Sequence, residues 1–341
     1  MLTRSACIRR LALAVVAATA ACGDRAVQQG HLEDWDTLWV HRPNAMDTAL
    51  FAPSWLATFR DGVVVGDGNG PRVTAFDGDG RVRWIYAPPA GDGPGEMRFA
   101  VDAIESDDGL WVLAWPTRLM LLSDDGKFLR QLRITPDPIG LVGQIDVWSD
   151  DEAVLLIGTS LARVSLSDGH ITREPVPIPW VETPPGDWIA DVRMVADGAV
   201  IAVGMAYGPE VVILENDSMR GAILREGITY RVRGRRVDLP GEAYVMEEPS
   251  GIIPFGATRL CLVDSELWVL TGGAYLHDRV GIEEPHLNDQ LLVYSLAGSS
   301  IGTRSLPFDT RGLAVAQDRV YLLGVENEKD ALPTLLALAR R

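Results

Sequence analysis

The stretch Gly91-Asp92-Gly93-Pro94-Gly95-Glu96-Met97 (GDGPGEM) decides how the chain is read. A glycine run this dense is either a cradle for phosphate or a corner between two structural units. A dinucleotide fingerprint needs a strand before it and a helix after it, so that phosphate meets the helix N-terminus. Here the alternating segment Val82 to Tyr86 comes before, and a second strand-like segment, Val101-Asp102-Ala103-Ile104, comes after. Pro94 stiffens the crossing. The glycines therefore mark a corner, and the chain on either side of it is predicted to be β.

Working outward from that corner, one grammar recurs. Asp61-Gly62 precedes Val63-Val64-Val65, and Val73 to Phe76 runs into Asp77-Gly78-Asp79-Gly80 before Arg81 to Tyr86. The cycle returns as Asp108-Gly109, Leu110 to Leu113, Leu119 to Leu122, Asp124-Asp125-Gly126 and Lys127 to Leu132. Asp-Gly supplies the positive φ that tight turns need, so these clusters read as hairpin turns. A calcium loop would need a longer acidic spacing and flanking helices. The apolar second strand recurs at 153–157, 200–203, 267–270 and 320–323. Taking Val64, Trp111, Leu155, Ile201, Trp268 and Tyr321 as equivalent, the spacings are 47, 44, 46, 67 and 53. Such a period with several strands per copy predicts an all-β, six-bladed β-propeller. A sandwich would not generate six similar units in series.

GDGPGEM, the turn Ser123 to Leu129 and Pro254-Phe255-Gly256 together resemble the six-bladed NHL-like propellers found among bacterial lipoproteins, whose inter-blade segments read Gly-x-Gly-Pro-Gly-Glu-Phe. Met97 stands at the phenylalanine position. The resemblance covers residues 35–341, and its motifs are architectural. The sixth copy lacks one strand before the chain ends. Thr37-Leu38-Trp39-Val40-His41 alternates well enough to supply it and is expected to pair beside the C-terminal strand, closing the ring.

The N-terminus carries Arg4, Arg9 and Arg10, then the apolar run 11–18 and Thr19-Ala20-Ala21-Cys22. That is the pattern of an export signal, too short to span a bilayer. Its end resembles a lipobox, which implies diacylated Cys22 as the first mature residue. Thr19 stands where the lipobox usually has leucine. The expected organisation is a signal peptide at 1–21, a polar tether at 22–34 and the propeller at 35–341. Removing residues 1–21 takes away three arginines and no acid, which carries the net charge from -16 to -19. Such an excess of carboxylates repels phosphate backbones, so no nucleic-acid partner is expected. Cys261, alone in an apolar setting, is expected to be a small buried hydrophobe.

Two segments break the period: 225–253, with the basic run Arg231 to Arg236, and 274–290 (AYLHDRVGIEEPHLNDQ). Long connections often carry function. His277, Asp278 and His286 have the right types to ligate a metal, but neither paired short ligand spacings nor His-Glu-x-x-His is present. Resemblance to propeller lactonases would imply a Glu, Asn and Asp set in the central tunnel, and Asn69, Asn216, Asn288 and Asn327 sit in no such motif. Without a Gly-x-Ser-x-Gly elbow, serine hydrolase chemistry is unsupported. His170, in a hairpin turn, should be exposed. Tryptophans 84, 111, 148, 188 and 268 should fill wedges between blades. The sequence assigns no catalytic residue and no cofactor. It suggests a monomeric, envelope-anchored binding or scaffolding module for an unknown envelope protein or small ligand, touching the membrane only through its lipid. The alternative is a metal-dependent, lactonase-like hydrolase.

Overall fold

A computed structural model describes residues 29–31, 35–43, 49–50, 52–68, 70–136, 142–179, 192–206, 208, 210–224, 233–237, 243–247, 252–254, 256–271, 274–276, 289–316, 318–325 and 333–340. Among them there is no helix. Six sheets, each built on a four-stranded antiparallel meander, follow one another along the chain; five have four strands, one has a fifth, and two short strand pairs lie outside them. The first blade is Pro53–Phe59, Gly62–Asp67, Val73–Phe76 and Val82–Tyr86; the second is Ala100–Ser106, Gly109–Ala114, Arg118–Leu122 and Phe128–Arg133. Val142–Ser149 to Ile171–Pro177 form the third, and Val192–Asp197 to Ser218–Leu224 the fourth. The fifth comprises Arg259–Val263, Glu266–Thr271, Gln290–Ser295 and Ser300–Ser305. The first strand of each blade lies against its counterparts in both neighbouring blades, the sixth against the first, so the ring closes as a propeller.

All six expected second strands occupy the same place in their sheets. They are buried on both faces, which is why they read as continuous apolar runs rather than as alternations. The core accordingly divides into six apolar clusters, each filling the wedge between two adjacent blades. Trp84, Trp111 and Trp268 lie in these wedges as expected. Trp148 is partly buried against the wedge between the third and fourth blades, and Trp188 lies outside the described residues.

The closing strand also behaves as expected. The sixth blade has Asp309–Val315, Arg319–Val325 and Pro333–Ala339 from the C-terminus, and Thr37–His41 pairs antiparallel with the last of these. The indole N–H of Trp39 donates to the carbonyl of Gly78, in the outer turn of the first blade, at 2.9 Å. Trp84 repeats the contact one blade on, donating to the Asp124 carbonyl at 2.9 Å. In both turns a glycine has positive φ, +78° at Gly80 and +76° at Gly126, and a Cβ there would fall 2.5 Å from the facing indole ring. Only glycine meets both demands.

GDGPGEM crosses from the outer strand of the first blade to the inner strand of the second. It wraps around the buried Arg118, whose guanidinium donates to the carbonyls of Gly91 (3.0 Å) and Glu96 (3.3 Å). The Glu96 carboxylate accepts the Gly93 N–H at 2.9 Å, Tyr86 donates to the Gly95 carbonyl, and Met97 is fully buried. The N–H groups of Gly93 and Glu96 are thus turned inward on the corner's own residues.

One feature was not anticipated. Within the expected tether, Gln29–His31 forms a strand that pairs parallel with Thr303 to Ser305 on the outer edge of the fifth blade. Trp35 follows, buried in the wedge between the fifth and sixth blades and stacked on Trp268 with ring centroids 5.8 Å apart.

Candidate functional site

The inner strands enclose a central tunnel of about 680 Å³. Each is an edge strand whose outward N–H and C=O groups have no fifth strand to pair with. Side chains pointing along the tunnel wall supply partners, most of them reaching into the next blade and Arg259 as far as the first. Asp102 accepts the N–H of Ile145 at 3.2 Å from the second blade to the third. Gln144 and Asp146, two residues apart and so on one face of their strand, accept the N–H groups of Met194 (2.6 Å) and Ala196 (2.8 Å) in the fourth. Arg193 donates to the Thr258 carbonyl at 3.2 Å in the fifth. Arg259 donates to the same carbonyl at 2.9 Å and to that of Ser54, in the first blade, at 2.8 Å. Cys261 donates to the Leu313 carbonyl at 3.6 Å in the sixth.

Because the inner strands run the same way along the axis, their starts define one mouth and their ends the other. Arg193, Arg259 and Asp102 lie toward the first, and Glu105, Asp197 and Asp264 toward the second. Asp102 is enclosed by the ring but still borders tunnel space. Burial pushes its carboxyl up to about 7, opposed by the N–H donors of Ile145 and Ala103 and by the positive charges of Arg259 and Arg193. Asp146 is also raised to about 7 by burial, with Asp102 and Asp197 adding to the rise and the Ala196 and Val147 N–H groups opposing it. The Cys261 thiol is pushed up to about 12, first by burial and then by Asp146. A thiol held protonated is a poor nucleophile. Cys261 is half-buried rather than fully buried, bordering the tunnel and packed against the wedge between the fifth and sixth blades.

Cys22, His277, Asp278 and His286 lie outside the described residues. His170 is exposed in its turn, as expected. Among the described residues no three His, Cys, Asp or Glu side chains converge as metal ligands. The tunnel residues were not singled out from sequence, although a signal existed: Asp102 and Asp146 interrupt otherwise apolar first strands, in Val101-Asp102-Ala103-Ile104 and Ile145-Asp146-Val147.

The two period-breaking segments are joined. The first contains the antiparallel pair Arg233–Val237 with Ala243–Glu247. Its end, Ile252–Pro254, pairs antiparallel with Ala274–Leu276 at the start of the second. The first segment runs from the outer strand of the fourth blade to the inner strand of the fifth, and the second lies between the second and third strands of the fifth.

No protein-family model matches the sequence, and no curated protein is similar to it. Several solved structures share its fold. A putative exported protein of Bacteroides fragilis superposes with a TM-score of 0.54 at 8% identity, over 90% of this chain and 96% of that one. The WD40 domain of Neurospora crassa Pan2 gives 0.53 at 10% identity, over 91% and 97%. Raptor of Chaetomium thermophilum gives 0.51 at 10% identity, over 90% of this chain and 29% of its own. At such identities the likeness is one of fold alone.

Proposed function

We propose that the protein is an exported, lipid-anchored propeller that acts as a binding or scaffolding module at the cell envelope. In this reading residues 1–21 are the signal peptide, Cys22 carries the lipid, residues 22–34 lead to the ring and 35–341 are the propeller. The N-terminal charge and lipobox pattern support export and acylation. Gly23, in place of the aspartate that retains many enterobacterial lipoproteins at the inner membrane, favours the outer membrane. The observation that carries the binding reading is the strand pair between 252–254 and 274–276, which joins two segments not needed for blade formation into one projection. Its partner is an envelope protein or a small ligand. Replacing both segments by short Gly-Ser turns should leave the ring folded, by circular dichroism and unfolding midpoint, and abolish retention of an envelope partner captured by the intact protein. Retained capture would move the binding surface to the tunnel mouth.

A metal-dependent hydrolase at the tunnel is the second reading, favoured by two carboxyls raised to about 7 in one cavity. Against it, each carboxylate already accepts one N–H from its own strand and one from the next blade, an arrangement that holds blades together. Metal analysis of the purified protein separates the two readings, a stoichiometric divalent ion favouring the hydrolase.

A further inference from the structure

The strand Gln29–His31 changes what a lipid on Cys22 would do. Were the chain fixed to the ring only from Thr37, the fifteen residues after Cys22 would reach about 50 Å at ~3.3–3.6 Å per residue. A folded chain of this length has a radius of gyration of about 20 Å and a width of about 50 Å. Such a tether would let any face of the propeller meet the bilayer. The strand instead fixes the chain at Gln29, on the outer edge of the fifth blade, and Trp35 then wedges between the fifth and sixth blades with the Arg304 guanidinium 4.7 Å from its ring centroid. The closing strand makes a third attachment. Six residues lie between Cys22 and Gln29, so seven Cα–Cα steps span at most about 25 Å. That is about half the width of the ring, too short for the opposite rim to reach the membrane.

We infer that the propeller is held at a lipid surface by its fifth blade, with the outer edge of that blade toward the bilayer and the second blade, three places around the ring, farthest from it. The inference rests on the lipid-anchored reading given above. The joined insertions connect to the fourth and fifth blades, the sector that carries the anchor, so the partner they suit is itself membrane-associated.

Two outer-strand positions of nearly equal exposure test the orientation: Ile301 in the fifth blade, 49% exposed, and Leu129 in the second, 52% exposed. In a Cys261→Ser background, Ile301→Cys and Leu129→Cys would each carry a thiol-linked fluorophore. The acylated full-length protein would then be reconstituted into phosphatidylcholine vesicles bearing a headgroup nitroxide quencher. The expected result is several-fold stronger quenching at 301 than at 129. An insertion of about 20 Gly and Ser residues after Asp24 should remove the difference, because a flexible tether of that length no longer restricts the ring. Equal quenching with the native tether, or stronger quenching at 129, overturns the orientation while leaving the anchor intact. A Cys22→Ala protein that still sediments with membranes refutes the lipid anchor, and the orientation with it.

Discussion

The second and fifth blades share one four-strand meander and differ in almost everything attached to it. In the second blade, Gly109–Ala114 passes to Arg118–Leu122 through a three-residue connection, and among the described residues its outer edge carries no added strand. In the fifth, the equivalent strands Glu266–Thr271 and Gln290–Ser295 are separated by the second insertion, the first insertion arrives just before the blade, and Gln29–His31 is added to its edge. Trp111 and Trp268 nevertheless occupy the same place in their sheets, and each is buried in a wedge. The difference teaches that wedge packing sets the blade, while connections are free to vary wherever they leave that packing undisturbed. Irregularity is concentrated in one sector of the ring, which is also where the N-terminus enters.

If the wedges and their closure set stability, the largest loss should follow from deleting Asp34 to Arg42. That deletion removes the closing strand, Trp35 and Trp39 together, and opens both edges of the ring. The expected loss is a large part of the roughly 5–15 kcal/mol that holds a typical domain together. An unchanged denaturant midpoint would show that the clasp contributes nothing.

The repeated indole contact offers a finer comparison. Trp39→Ala and Trp84→Ala remove equivalent rings from adjacent blades; the buried Trp84 should cost about 3–5 kcal/mol, as large aromatic truncations in cores do, and the partly buried Trp39 less. Chemical denaturation should find both variants destabilised, in that order. A loss at Trp84 alone would mean that the closing strand is only loosely held by its indole.

The smallest effect concerns the tunnel wall. Asp102 and Asp146 have folded pKa values raised above the ordinary carboxylate value of 3.8 to about 7. The folded state therefore holds its protons more tightly than the unfolded chain does. That contribution is fully present below about pH 4 and is lost as the pH rises through about 7. Because both groups border the tunnel, screening by its water should reduce the change between pH 5 and pH 8 to about 1 kcal/mol. The acidic chain as a whole adds a trend of the same sign, so the reading is the difference between wild type and Asp146→Asn: the variant's stability should fall less over this range. Parallel profiles would place the Asp146 pKa near its ordinary value.

Much of the ring was legible in the sequence because its signals are local. A strand buried on both faces must be apolar throughout, so Val63 to Val65 and Leu110 to Leu113 announce themselves; a hairpin needing positive φ at Gly80 or Gly126 must place glycine there. The closing strand followed by counting, since a sixth copy with three strands needs a fourth. The tunnel bridges were not legible in the same way. Asp102 can be seen as an acid in an apolar strand, but its partner is the N–H of Ile145, 43 residues on, and only the ring brings them together.

The sequence by itself determined the six-fold repeat, the turns, the corner at GDGPGEM and the strand that closes the ring, because each is written in apolar periodicity and in residues with special backbone freedom. The tertiary structure alone decided where Cys261 sits, which carboxylates bind neighbouring blades, that the two insertions share a strand pair, and that three residues of a polar leader lie on the fifth blade. Those features depend on which edges and carbonyls come within hydrogen-bond reach after the wedges have packed, and a backbone N–H or C=O carries no residue-type signal of the partner it will meet.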